Sequence, residues 1–161
     1  MNVLVVFDTV YGNTEQLGRA IAGAVDSGFS VRIERSDRIS RIDAQGIDLL
    51  IVGGPTHRQR MSVTLKAVLE GTPRGALKGV KAAAFDTRYR MSAWLSGSAA
   101  RRISRHLRKL GAVLVAPPES FFMERDLPPE GHKRRHELER LEAGEVERAL
   151  EWAREVIKRV S

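Results

Sequence analysis

Residues 3–22 read VLVVFDTVYGNTEQLGRAIA, and this stretch decides the fold. Val3 through Phe7 is a continuous apolar run, the pattern of a strand buried on both faces of a parallel sheet. Polar residues follow at once. Asn13 then stands where a helix N-cap is wanted, with Gln16 at capping-box spacing. Leu17, Ala20, Ile21, Ala24 and Val25 repeat with the 3.6-residue period of an amphipathic helix, and Gly28 follows its end.

The same alternation continues down the chain. Val31-Arg32-Ile33-Glu34 alternates strictly, which suits an edge strand, and residues 47–52 form a third, mostly apolar strand. A short helix spans 62–70, with Leu65, Val68 and Leu69 inward and Gly71 as its stop; a fourth strand spans 80–85. Ala99, Ala100, Ile103, Leu107 and Leu110 line the next helix, Gly111 ends it, and 112–115 form a fifth strand. Val146, Ala149, Leu150, Ala153, Val156, Ile157 and Val160 stripe the last helix, where Trp152 is a packing residue; residues 124–143 read as a charge-rich surface loop. Five strands alternating with helices predict a doubly wound parallel α/β sheet, in one domain over 1–161. The near-continuous strands belong inside and the alternating one at an edge, which gives the order 2-1-3-4-5. In that order a ligand binds beyond the carboxyl ends of strands one and three.

Composition narrows the chemistry. The 161 residues contain no cysteine, which excludes disulfides, thiolate catalysis, zinc–thiolate sites and cysteine-ligated iron–sulfur clusters. The amino terminus has no basic segment before its apolar run and reads as a strand, not a signal peptide, so a cytoplasmic location is expected. The formal net charge is +7, and it is unevenly spread: residues 1–50 carry −2, residues 51–120 carry +10, and residues 121–161 carry −1. Bias toward arginine over lysine does not explain why acids are missing from the middle.

Three loops leave the carboxyl ends of the inner strands. The first, Thr9-Val10-Tyr11-Gly12-Asn13-Thr14, offers a hydroxyl at each end, a glycine for close approach and a helix amino terminus: an anion cradle. It has no lysine and is not the loop of a nucleotide hydrolase; the chain also lacks GxGxxG at this place. The second loop, residues 53–61, holds Gly53, Gly54, Pro55, Thr56, His57, Arg58, Arg60 and Met61; the third runs from Asp86, Thr87, Arg88, Tyr89 and Arg90 to Trp94. His57 or Met61 on one side, and Tyr89 or Trp94 on the other, could face a flat heterocycle. Other candidates read more plainly. His132 and His136, four apart, belong to a solvated loop; Asp86 is a salt-bridged or helix-capping acid beside Arg88 and Arg90; and Arg101, Arg102, Arg105, Arg108 and Lys109 make a solvated or anion-docking helix face.

These loops bring a resemblance. The first is similar to the T-x-T-G-x-T phosphate loop of flavodoxins, with Tyr11 in place of the middle threonine. IDLLIVGGPTH resembles the family's third strand and following loop, AAAFDTRYR its fourth strand and loop, and LEAGEVERALEWAREV its last helix. The resemblance implies a flavodoxin-like five-stranded fold and FMN as cofactor. Thr9, Asn13 and Thr14, with Val10, Tyr11 and Gly12 of the same loop, would take the phosphate. Pro55, Thr56, His57 and Arg58, with the segment Asp86, Thr87, Arg88 and Tyr89, would meet the isoalloxazine. It also implies electron transfer with no catalytic side chain. Two departures stand out: the chain is basic where flavodoxins are acidic, and His57-Arg58 replaces the small residue next to the ring. The basic middle implies an acidic redox protein or an anionic small substrate as partner. The alternatives are a flavin-dependent reductase or oxidase of a quinone- or porphyrin-like substrate, and a flavin-free module for nucleic acid or another polyanion.

Overall fold

Every strand of the sheet runs parallel to its neighbours, and alternate side chains along each strand feed two separate apolar layers. In the computed structural model, residues 1–57, 59–91, 97–124 and 140–161 are described. The strands are β1 (Asn2–Phe7), β2 (Ser30–Arg35), β3 (Leu49–Pro55), β4 (Lys81–Tyr89), β5 (Val113–Leu114) and β6 (Glu119–Met123). Four α-helices are seen among the described residues: α1 (Asn13–Gly23), α2 (Val63–Gly71), α3 (Ala99–Lys109) and α4 (Glu145–Lys158). The order is β2-β1-β3-β4-β5, as the strand patterns required, with β6 also paired to β4.

Leu4, Val6, Leu50, Val52, Ala82 and Ala84 pack with Leu65, Val68, Ile103 and Leu107 of α2 and α3. Val3, Val5, Leu49, Ile51, Ala83 and Phe85 pack on the other face with Leu17, Ile21, Ala149, Ala153 and Val156 of α1 and α4. Both layers are essentially solvent-free. Each large apolar side chain so buried contributes about 1.5–3 kcal/mol, so the central strands anchor the fold. β2 lies at the edge, and its Val31 and Ile33 stay 41% and 37% exposed, since no strand covers them.

Two readings need correction. The fifth strand is not one strand over 112–115. Val113 and Leu114 pair with Lys81 and Ala82, the chain breaks step, and Glu119–Met123 then pairs with Phe85–Tyr89. Pro117 and Pro118, which cannot donate to a ladder, lie in the break. The amino end of α1 also differs. Asn13 is the first helical residue and Gly12 is the N-cap, at φ 89° and without a side-chain cap bond. Gly12 enters the left-handed region that favours glycine. That shift leaves Asn13 inside the helix, with no capping box formed by Gln16, whose N–H donates to the Gly12 carbonyl at 2.9 Å.

The carboxyl ends of β3 and β4 are locked by a ring. Phe85 is fully buried and meets Phe121 and Trp152 edge-on at centroid distances of 6.1 Å each. Gly53 lies against that ring: a Cβ there would fall 2.1 Å from Phe85 Cζ. Phe121 and Trp152, both packed on the same buried ring, limit how far it can shift. We predict that Gly53→Ala destabilises the protein by at least about 1–3 kcal/mol, the usual cost of overpacking. Adding Phe85→Leu should recover part of the loss; urea unfolding of the single and double variants checks both, and strictly additive losses would refute the packing account.

Candidate functional site

The loops after β1, β3 and β4 emerge side by side, and short hydrogen bonds bind them to one another. In the first, the Gly12 N–H donates to Thr9 Oγ1 at 2.9 Å, which closes the turn into α1. Val10 and Tyr11 are 59% and 44% exposed at its tip. Outside Gly12 the space is open, since a Cβ there would meet nothing within 4 Å. The first-turn N–H groups of α1 and the positive end of its dipole therefore lie beside an exposed loop tip. Glu15, an acid in that first turn, is engaged by Arg19 at 2.7 Å and Arg35 at 3.6 Å, which offsets its repulsion of an anion.

Thr14 behaves differently from its loop neighbours. It is buried, and its hydroxyl shares a 2.9 Å hydrogen bond with the hydroxyl of Thr87 on β4. These two threonines join the first loop to the third. Each hydroxyl retains further bonding capacity, so Thr14 can still take part in anion binding, but its first role is as a crosslink.

Asp86 organises the other two loops. Its side chain is completely buried, and Oδ2 accepts from Thr56 Oγ1 at 2.9 Å, Ser98 Oγ at 2.7 Å and the Ala100 N–H at 3.0 Å. Thr56 Oγ1 in turn accepts from the Ala99 N–H at 2.8 Å, and the Thr56 N–H donates to the Thr87 carbonyl at 2.9 Å. Asp86 and Ser98 thus cap α3 together, while Thr56 ties the second loop to both. This is the helix-capping reading of Asp86, whose Oδ2 is taken up by these three donors. Ser98 and its partner Gly97 were missed in the sequence, although a serine just before the apolar stripe of α3 is an ordinary N-cap signal. Gly97, at φ 66°, lies so close to the second loop that a Cβ would sit 2.8 Å from Gln59 Cα.

The second loop makes a tight turn in which His57 and Arg60 exchange both backbone hydrogen bonds at 2.9 Å. His57 is exposed at its edge and Pro55 half-buried at its root. Arg58, like Trp94, His132 and His136, lies outside the described residues. Tyr89 is half-buried at the end of β4.

The arginines of the third loop do not form an open cationic rim. Arg88 donates to Ser120 Oγ and to the Met91 carbonyl at 2.9 Å each, and its Nε lies 4.0 Å from Asp86 Oδ1. Arg90 forms an ion pair with Glu142 at 2.7 Å and covers Phe122 at 4.1 Å. Arg148 of α4 pairs with Glu119 and Glu145 at 2.7 Å each and covers Phe121 at 4.5 Å. Burial alone would raise the Glu145 carboxyl. Hydrogen bonds from Arg148 and the Phe122 N–H outweigh it and hold that carboxyl below the usual range. Acids from the end of the chain therefore quench the charge that residues 86–90 show in isolation.

No family model and no curated protein matches this chain. Solved structures do. Oxidised flavodoxin 1 from Bacillus cereus is similar over the whole of both chains, with a TM-score of 0.76 at 20% identity. A flavodoxin from the domain Archaea gives a TM-score of 0.71 at 16% identity, over 99% of each chain. The fold is the flavodoxin fold. Rubredoxin oxygen:oxidoreductase from Desulfovibrio gigas carries a similar unit in 37% of its chain, with a TM-score of 0.67 at 16% identity over 99% of this one.

In this flavodoxin-fold chain, hydrogen bonds join Thr14 and Thr56 to Thr87, and Thr9 to Gly12, at the strand ends, whereas Arg88 donates to Ser120 of β6 and the Asp86 side chain is buried. A concavity of about 1020 Å³ lies among the described residues at the opposite end of the sheet, beside Met1, Asp48, Lys81 and Val160. No described helix is long and apolar enough to cross a membrane. We predict that Asp86→Ala costs about 3 kcal/mol, because two hydroxyls and a helix N–H lose a buried charged acceptor together. Asp86→Asn should recover part of that. A loss below about 1 kcal/mol by urea unfolding would show the network to be dispensable.

Proposed function

We propose that the chain binds FMN at the carboxyl ends of β1, β3 and β4 and passes electrons between redox partners. The observation that carries this reading is the opening of α1. Its N-cap is a glycine in the left-handed region without a side-chain cap bond, and a Cβ at that position would meet nothing within 4 Å. Such a terminus accommodates a phosphomonoester through backbone N–H groups and hydroxyls. The absence of lysine from 9–14 suits a resident phosphate better than a leaving one. The resemblance of the loops to those of flavodoxins, and the redox character of the similar proteins by their names, support the same reading.

The residues present fit that cofactor. Thr9, Gly12, Asn13 and Thr14 would hold the phosphate, while Tyr11, His57 and Tyr89, one from each loop, would flank a planar ring. When bound, the isoalloxazine supplies the electron exchange, and the protein's share is to orient it and limit water. Asp86 and the Thr14–Thr87 bond hold the three loops at fixed spacing, so a ring placed among them meets preformed walls. Because Arg88 and Arg90 are partnered by Ser120 and Glu142, their charge acts on the ring only in part.

Fluorescence titration with FMN and riboflavin tests the reading. Two or more hydrogen bonds to a charged phosphate, each contributing about 1.5–3 kcal/mol, predict that FMN binds at least on the order of a hundredfold tighter. Gly12→Ala, which strains the left-handed N-cap by about 1–2 kcal/mol, should reduce that preference roughly tenfold and leave riboflavin almost unaffected. Equal affinities for the two flavins would contradict the proposal.

A further inference from the structure

Positive charge from the middle of the chain collects along the seam between α2 and α3, beside the second loop. A groove of about 380 Å³ there is lined by Arg60, Val63, Lys66, Arg102, Arg105 and Lys109. On α3 the spacing of Arg102, Arg105 and Lys109 puts all three on one face, across about 10 Å of helix. The helix itself, AARRISRHLRK, contains no acid. Lys66 shares an exposed pair with Glu70 at 3.6 Å. Among the described residues no carboxylate pairs with Arg60, Arg102, Arg105 or Lys109. This is the converse of the third loop, where every described arginine has found a partner group.

An apolar contact point stands within the charge. Val63 is 84% exposed, the most exposed of the large apolar side chains on the described surface. His106 lines the same groove, and burial together with Lys109 lowers its pKa, so it adds a neutral surface between the cations. The groove is also tied to the loops, since Arg102 Nε donates to the Gln59 carbonyl at 3.2 Å. Whatever binds along the seam therefore touches the second loop.

We propose that the α2–α3 seam is the docking surface for an acidic redox protein; the redox character of that partner rests on the electron-carrier reading above. Three cations over about 10 Å of α3, with Arg60 and Lys66 across the groove, exceed what one small anion can engage. An exposed valine among them suits a protein contact, with an apolar centre inside a charged rim. Among its described lining residues there is no tyrosine, tryptophan or phenylalanine on which bases could stack, as single-stranded nucleic acid sites require.

The test uses the purified protein, an acidic plant-type [2Fe–2S] ferredoxin as probe, and backbone amide shifts at low ionic strength. Shifts should concentrate in residues 60–66 and 102–109. The double variant Arg102→Glu/Arg105→Glu should weaken ferredoxin binding by roughly tenfold or more, and salt should weaken the wild type similarly. Arg41→Glu/Lys78→Glu makes the same change of net charge at exposed positions elsewhere and should cost less than about threefold. Circular dichroism confirms that both variants fold. Equal losses in the two variants, shifts outside the seam, or tighter binding of a duplex DNA than of ferredoxin would overturn the proposal. Flavin content is read separately from absorbance, so a colourless protein that still docks ferredoxin would contradict the cofactor reading and leave the docking surface standing.

Discussion

The Asp86 carboxylate has no solvent exposure, yet three donors from three places in the chain converge on one of its oxygens: Thr56 after β3, Ser98 before α3, and the Ala100 amide inside α3. A buried charge is costly unless hydrogen bonds replace its water. Thr56, Ser98 and Ala100 can satisfy it only if the second loop, the third loop and the start of α3 keep one arrangement. Everything at the carboxyl ends of the strands inherits that constraint. The Thr14–Thr87 bond then fixes the first loop to the same β4 segment, so the three loops behave as one assembly on a rigid sheet.

The split of the fifth strand position has an electrostatic consequence. By pairing with Phe85–Tyr89, β6 brings Glu119, Ser120 and Phe122 beside the outgoing end of β4. Arg88, Arg90 and Arg148 gather around the Phe122 ring, and Glu119, Glu142 and Glu145 neutralise the group. A charge count along the chain assigns residues 86–90 to a basic region. Folding mixes them with acids more than fifty residues later. The excess that survives is on α2 and α3, where among the described residues Glu70 of α2 pairs with Lys66 and no other acid pairs with the groove's cations.

Much of the fold was legible because it depends on local pattern. The five apolar runs, their helical partners and the edge character of residues 31–34 lead to the strand order without any tertiary knowledge. What was not legible depends on partners remote in sequence. Residues 119–123 carry no strong alternation, and they become a strand because β4 extends past Phe85 and offers them a ladder. Asn13 has good capping chemistry, but the bond from the Gly12 N–H to Thr9 turns the chain one residue earlier and makes Gly12 the cap. Of the candidate site, the three loops at the strand ends and the capping role of Asp86 were readable from residue type and place. The sequestration of Arg88 was not, since it is decided by Ser120 arriving from another element.

The account rests on the claim that backbone N–H groups at the start of α1 hold a phosphate. The most direct measurement is the set of backbone amide shifts on adding FMN, compared with riboflavin, to the purified protein freed of flavin. The account predicts that Gly12, Asn13, Thr14 and Glu15 shift strongly with FMN and little with riboflavin, while amides around Thr56 and Tyr89 respond to both. Shifts confined to the concavity beside Met1 and Lys81, or none at Gly12–Glu15 with FMN, would contradict it.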